Sequence, residues 1–194
     1  MRVYRKLLPT EGLLFQDHLA RLTPEDRISR FSGGVSVGAL VEHVRRFDWR
    51  TGWLIACFED GTLRGVAELR WLEPGFGWRA ELAVTVEAPW QDQGVGTELL
   101  RLAIVHARNR SLKSLYMICL TDNRRMQAIA RKFEGDLIFA GSQVEADIAV
   151  PFPTQFTLLA EALGDGVAFA RQWWGPMFHA AGFGPEAENP AFKP

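Results

Sequence analysis

Trp90-Gln91-Asp92-Gln93-Gly94-Val95-Gly96-Thr97-Glu98-Leu99-Leu100 joins an extended apolar run at 81–87 to a long helical pattern. Two glycines, one residue apart, stand at this strand-to-helix turn. Glycine lacks the Cβ that would hold a ligand away, and it tolerates positive φ. The first amides of a helix have no partners within it and point outward. The helix dipole adds positive potential at the same place, so the turn is a ready anion site. A phosphate-bearing cofactor is its natural guest. A Walker loop needs Gly-Lys before Ser or Thr, and the chain contains no Gly-Lys pair. A dinucleotide fingerprint needs a third glycine three residues after the second, where this chain has Leu99. What remains is Gln-x-x-Gly-x-Gly, carried by Gln91, Gly94 and Gly96.

Working outward, the 194 residues suffice for one domain with a full core. Hydrophobic content of 47% and charged content of 23% are those of an ordinary globular chain. The net charge of −1 provides no bulk field to recruit nucleic acid. Cys57 and Cys119 fall in strand-like runs and read as buried reduced thiols. No Cys/His spacing suits zinc, so no metal is expected. No stretch reaches the length of a membrane span, and a cytoplasmic location is the expectation.

Before the glycine turn, residues 3–8 read as a strand and 11–21 as a helix capped by Thr10, with Leu13, Leu14, Leu19 and Leu22 near one face. Thr23-Pro24-Glu25-Asp26 opens a second helix, and 37–47 forms a third. Strands follow at 53–58 and 63–72, joined by an Asp60-Gly61 hairpin turn of type I′. A loop at 73–77 leads to the strand at 79–87. After the turn come a helix at 95–110, with His106 as a structural residue near its apolar stripe, and a dense apolar strand at 113–120 that suits a buried parallel partner. Asp122 or Asn123 caps a helix running to Phe133, and 137–140 with 143–150 make a closing hairpin.

The loop pattern and this order of elements resemble the GNAT superfamily, the acyl-CoA-dependent N-acyltransferases, and most nearly the domains that modify protein lysines in bacteria. The resemblance covers about residues 1–150 and is most specific over 80–133. It implies an α/β (α+β) fold: a mixed, mostly antiparallel central sheet flanked by helices and splayed at the cofactor cleft. It also implies acetyl-CoA or another acyl-CoA as cosubstrate, and a primary amine, on a small molecule or a protein lysine, as acceptor. The Gln91, Asp92, Gln93, Gly94, Val95, Gly96 and Thr97 loop would hold the pyrophosphate. Backbone groups of Val84, Thr85 and Val86 would pair with the pantetheine amides as an added strand edge. Asn123 stands where the family often has an asparagine at the start of the cofactor-side helix. Ala130 stands where it often has a tyrosine, which removes the usual general acid.

The reaction the resemblance implies is direct attack of the amine on the thioester. A lysine amine in water has a pKa of about 10.4, so a proton acceptor is needed. Alternation puts Glu81, Ala83, Thr85 and Glu87 on one strand face and Leu82, Val84 and Val86 on the other. Glu81 sits where family members with a glutamate base carry it, Glu68 is the runner-up, and Tyr116 lies on the strand beside the cleft. The early helices would wall the acceptor site, with His43, Arg45 and Arg46 toward it. A domain that binds acyl-CoA as a sensor without turnover, and an interaction module docking through an aromatic tail, stay open beside the enzyme. Residues 151–194 are expected to form a C-terminal helical extension, with Phe156, Leu159, Leu163, Val167, Trp173 and Trp174 packed on the domain or on a second subunit as a homodimer.

Overall fold

Local sequence signals set most of the element boundaries. In a computed structural model describing residues 1–72, 78–155, 157–159, 161 and 163, the chain begins with strand β1, Arg2–Lys6, and helices α1, Gly12–Arg21, α2, Pro24–Phe31, and α3, Val37–Arg45. Thr23 caps α2 by accepting the Asp26 amide, and Ser36 caps α3 by accepting that of Ala39. Thr10 does not cap α1. Residues Pro9–Glu11 form a 3-10 turn instead, because the Glu11 carboxylate is drawn to the Arg5 guanidinium at 2.6 Å and the Leu8 amide at 2.9 Å.

Strands β2, Gly52–Glu59, and β3, Thr62–Trp71, are joined by Asp60 and Gly61, both at positive φ as a type I′ turn requires. Then come β4, Arg79–Val86, α4, Val95–Arg108, β5, Ser114–Leu120, α5, Arg124–Lys132, β6, Asp136–Ala140, and β7, Gln143–Ala149. The expected loop at 73–77 lies outside the described residues.

The strands make one sheet in the order β1-β2-β3-β4-β5-β7-β6, as expected a mixed and mostly antiparallel one. Only β4 and β5 run parallel, and they pair over just Arg79–Glu81 against Ser114–Tyr116. Beyond that point β4 stays on β3 as far as Val86, while β5 stays on β7 as far as Leu120. The two strands therefore part, and a cleft opens between them.

Each sheet face carries an apolar layer. Leu82, Val95, Leu99, Leu100, Leu115 and Ile148 belong to the layer on the α4 side. Phe15, Leu19, Leu40, Phe47, Leu54 and Val66 belong to the other. Helix α1 keeps Leu19 and the following Leu22 buried as expected but departs from the expected face in its first turns. It buries Phe15, His18 and Leu19, while Leu13 and Leu14 are exposed. A histidine completes the buried stripe, so an apolar count points to the wrong phase. Cys57 and Cys119 are buried and free. Among the described residues, no helix is long and apolar enough to cross a membrane, and no group of acidic, histidine or cysteine side chains could hold a metal ion.

In the C-terminal segment, Gln155, Thr157, Leu158, Leu159, Glu161 and Leu163 are helical. Glu161 is anchored on α4 and β1. Its carboxylate lies 2.9 Å from His106 Nδ1, 3.0 Å from Arg110 Nη1 and 2.5 Å from Lys6 Nζ. Leu158, Leu159 and Leu163 are exposed, and the contacts of this segment with the domain among the described residues are polar and ionic. Phe156, Val167, Trp173 and Trp174 lie outside the described residues.

Candidate active site

Alternation along β4 decides what the cleft presents. The Arg79 carbonyl accepts from the Leu72 amide, and Glu87 donates its amide to the Arg64 carbonyl. The register between them is unbroken. The peptide groups of odd-numbered residues thus turn toward β3, and those of Val84 and Val86 turn into the cleft. Thr85 also lines the cleft, but its peptide group faces β3. This corrects the expectation that all three residues offer backbone groups; the sequence sets the alternation of side chains but not the phase of the peptides. The cleft has a volume of about 800 Å³. One wall is Leu82–Val86 and the other Met117–Cys119, closed by the 91–97 loop, the start of α5, and α2.

The loop is built to leave its amides free. Gly94 is at φ +79° and caps α4, and Asp92 is at φ 56°. Gly96 has no positive φ; its constraint is space. A Cβ there would lie 3.1 Å from Ile129 Cδ1 and 3.9 Å from Val84 Cγ1 and Val86 Cγ2. Among the described residues, no backbone hydrogen bond outside the regular elements uses the amides of Gln93 to Thr97. Several loop side chains are braces. Gln91 Nε2 donates to the Val86 carbonyl at 2.9 Å and to Asp26 Oδ1 at 3.0 Å, while its Oε1 accepts from Arg125 at 2.6 Å. Gln93 bonds the Pro89 carbonyl and accepts from Arg2. Asp92 pairs with Arg125 at 3.2 Å. Val95 is buried in the core rather than facing the cleft. Asn123 caps α5 through the Met126 amide and donates to Ser29 Oγ of α2 at 2.7 Å.

The face of β4 turned toward α1–α3 is charged and networked. Glu68, on β3 opposite Ala83, is buried and receives Arg30 at 2.6 Å, Arg70 at 2.6 Å and His43 at 3.1 Å. Burial alone would raise its pKa. The hydrogen bond with His43 and the charges of Arg30 and Arg70 outweigh that and hold the carboxyl far below the usual range. A carboxylate so held is a poor proton acceptor. It serves here to orient Arg30, which itself lines the cleft.

Of the three basic residues expected toward the acceptor, only His43 turns inward. Arg45 and Arg46 are exposed and clamp Glu42. A second network joins Thr85, His18 and Glu87. His18 is fully buried, with Nε2 2.9 Å from Thr85 Oγ1 and Nδ1 3.1 Å from Glu87 Oε1.

Glu81 stands one residue before Leu82, the first cleft-lining residue of β4, on the same face as Glu68 and Thr85. Its register partners are Arg70 on β3 and Tyr116 on β5. Glu81 and Tyr116 are thus brought together at the closed foot of the cleft, just below the point of splay, and neither lines it. Burial and a hydrogen bond with Glu145 raise the Tyr116 pKa. Ala130 is buried in the core, so that position of α5 does not face the cleft. Of the expected cofactor residues, Val84, Thr85, Val86, Gln91, Asp92, Gly94, Gly96, Thr97 and Asn123 line the cleft. The early helices wall the site as expected, but through Glu25, Asp26, Ser29 and Arg30 of α2, which the sequence reading missed there, as it missed His18. Nothing in the spacing of α2 or α1 announces a partner more than 60 residues away.

Known proteins can be set beside this geometry. A family model described as the acetyltransferase (GNAT) family matches residues 24–135. No curated protein sequence matches significantly. Solved structures with the same fold include the GNAT domain of S. lividans PAT, with TM-score 0.66 and 18% identity over 75% of this chain and 89% of that one. The ribosomal-protein-S18-alanine N-acetyltransferase of Escherichia coli has TM-score 0.61 and 12% identity, covering 80% and 97%. A cAMP-binding acyltransferase from Mycobacterium smegmatis, in a mutant form, has TM-score 0.56 and 24% identity over 88% of this chain and 50% of that one.

Proposed function

We propose that this chain, which belongs to the GNAT acetyltransferase family, transfers an acetyl group from acetyl-CoA to a primary amine by direct attack on the thioester. The observation carrying this reading is the cleft where β4 leaves β5, with unengaged loop amides at one end and the peptide groups of Val84 and Val86 along one wall. In this reading the amides of Gln93 to Thr97 hold the pyrophosphate. The peptide edges of Val84 and Val86 pair with the pantetheine amides. That places the thioester at the splay, beside Leu82.

The attacking amine must be neutral. Glu81, next to the splay on the acceptor side, accepts its proton directly or through one water. A β4 amide facing the cleft stabilises the charge that develops on the carbonyl oxygen. The departing thiolate needs little acid assistance, and Tyr116, the register partner of Glu81 on β5, carries a hydroxyl at this end of the cleft. Glu68 holds Arg30 in place and takes no proton.

The test is thiol release from acetyl-CoA with a panel of amines, antibiotics and lysine peptides. Steady release dependent on one acceptor class is expected. Tight binding of acetyl-CoA without release for any acceptor would replace the enzyme with an acyl-CoA sensor. No binding would overturn the cleft assignment.

A further inference from the structure

His18 is a fully buried polar side chain, and it sits directly behind the cleft wall. We infer that Thr85 presents a fixed hydrogen-bond acceptor to an N–H donor held in the cleft, and that His18 and Glu87 keep it in that state. The inference rests on the acetyl-CoA and amine reading of the cleft.

Glu87 is only 3% exposed. Its Oε1 accepts from Arg21 Nε at 2.8 Å and lies 3.1 Å from His18 Nδ1, and its Oε2 accepts from Arg64 Nη1 at 2.8 Å. Burial would raise its pKa, but the hydrogen bonds from His18, Arg64 and Arg21 bring it down to about 2. An ionised carboxylate can only accept, so His18 Nδ1 carries a proton. Burial pushes the His18 pKa down, and the nearby Arg21 and Arg64 add to this against the pull of Glu87. The groups facing the ring are Thr85 on β4, Glu87 just past its end, Arg21 on its own helix and Arg64 on β3.

A neutral imidazole protonated at Nδ1 has a bare Nε2. That nitrogen lies 2.9 Å from Thr85 Oγ1, so the hydroxyl must donate to it. A hydroxyl has one proton. With it committed to His18, Thr85 retains only lone pairs for the cleft it lines. A charged His18 would reverse this: both ring nitrogens would donate, and the Thr85 proton would be released toward the ligand. The network therefore sets the polarity of the wall. It favours an N–H group and disfavours a bare carbonyl, which could not complete the bond. Two sources fit: an amide of the pantetheine arm, or the acceptor amine itself. Thr85 touches the ligand in either case, while His18 and Glu87 are positioning residues acting through it.

Thr85→Val removes the oxygen at nearly constant volume, and Thr85→Ser keeps it. The value of one hydrogen bond predicts a loss of about 5- to 10-fold for valine and recovery to within about 3-fold for serine. A loss in acetyl-CoA affinity identifies the pantetheine amide, and a rise in acceptor KM at unchanged cofactor affinity identifies the amine. Unchanged values for both would overturn the inference while the acetyl-CoA reading stands. Long-range 1H–15N correlation spectra of the wild-type protein test the lock independently of activity. A neutral His18 protonated at Nδ1 is expected throughout pH 6–8. The other tautomer, or a charged ring, would sink the proposal even if the wild type bound no acetyl-CoA.

Discussion

The two faces of β4 have opposite characters. On the α4 side, Ala80, Leu82, Val84 and Val86 are apolar and pack on the core that includes Val95 and Leu99, and the peptide groups of Val84 and Val86 turn into the cleft. On the α1–α3 side, Glu81, Thr85 and Glu87 share a face with Glu68, and partly buried arginines and two histidines pair with Glu68, Thr85 and Glu87. A ligand held by peptide groups is sensitive to backbone position and free space, and little affected by which side chains stand nearby. Chemistry on an incoming amine depends on charged side chains whose protonation is fixed by their partners. Cofactor affinity and turnover should therefore respond to different substitutions.

The largest effect should come from Glu68→Ala. It strands Arg30 and Arg70 beside a buried site, which by the cost of breaking a buried ion pair destabilises by about 3–5 kcal/mol. Denaturant unfolding checks this, and Glu68→Gln, which keeps acceptor oxygen, should lose less. A loss near zero would show that the charged face is not structurally committed.

Next, Glu81→Gln should lower kcat by about 10²-fold, the scale for losing a positioned base. Raising the pH should partly restore the variant, because more acceptor amine is then already neutral. Parallel pH–rate profiles of wild type and variant would take the role of base away from Glu81.

Acid should loosen two separate networks in two stages, His106 of α4 with Glu161, and His18 with Glu87 beside β4. His106 has its pKa pushed down to about 4, first by burial and then by Arg110 and Lys6, and His18 is lowered too. For such a group the unfolded chain binds protons first, so stability falls as the pH drops from about 6.5 toward 4. Glu87, lowered to about 2, adds a carboxylate stage: its contribution is complete above about 4.5 and is lost as the pH falls through 2. Thermal melts across pH 7 to 2 should show both stages, with Glu87→Gln flattening the lower one.

The smallest effect serves as a control outside both faces. Glu161→Ala removes the acceptor shared by Lys6, His106, Asn109 and Arg110, at a cost of about 1.5–3 kcal/mol, the range for hydrogen bonds to a charged group. It should lower the melting temperature and leave acetyl-CoA affinity and kcat unchanged.

Much of this was legible in the chain because it depends on local chemistry. The Gly94 turn needs positive φ, and Asp60-Gly61 needs it at both positions. The Thr23 and Asn123 caps are single side chains acting three residues ahead. Alternation placed Glu81, Thr85 and Glu87 on a shared face. Three features could not be read locally. The splay depends on β5 pairing with β7, which lies later in the chain. The phase of the Val84 and Val86 peptides is set by the register against β3. The burial of His18 in α1 depends on Thr85 and Glu87, and it shifted the apparent stripe of that helix toward Leu13 and Leu14, which are exposed.

The division between the two faces is tested most directly by titrating acetyl-CoA calorimetrically into the wild type, Gly96→Val and Glu81→Gln side by side. At Gly96 a Cβ would already press on Ile129 at 3.1 Å and approach Val84 and Val86. A branched side chain there should weaken acetyl-CoA binding by about tenfold or more, as expected where only glycine allows close approach. Glu81→Gln should bind within about twofold of the wild type, because a peptide-held cofactor does not use that carboxylate. Equal affinity for wild type and Gly96→Val, or a large loss in Glu81→Gln, would contradict the account.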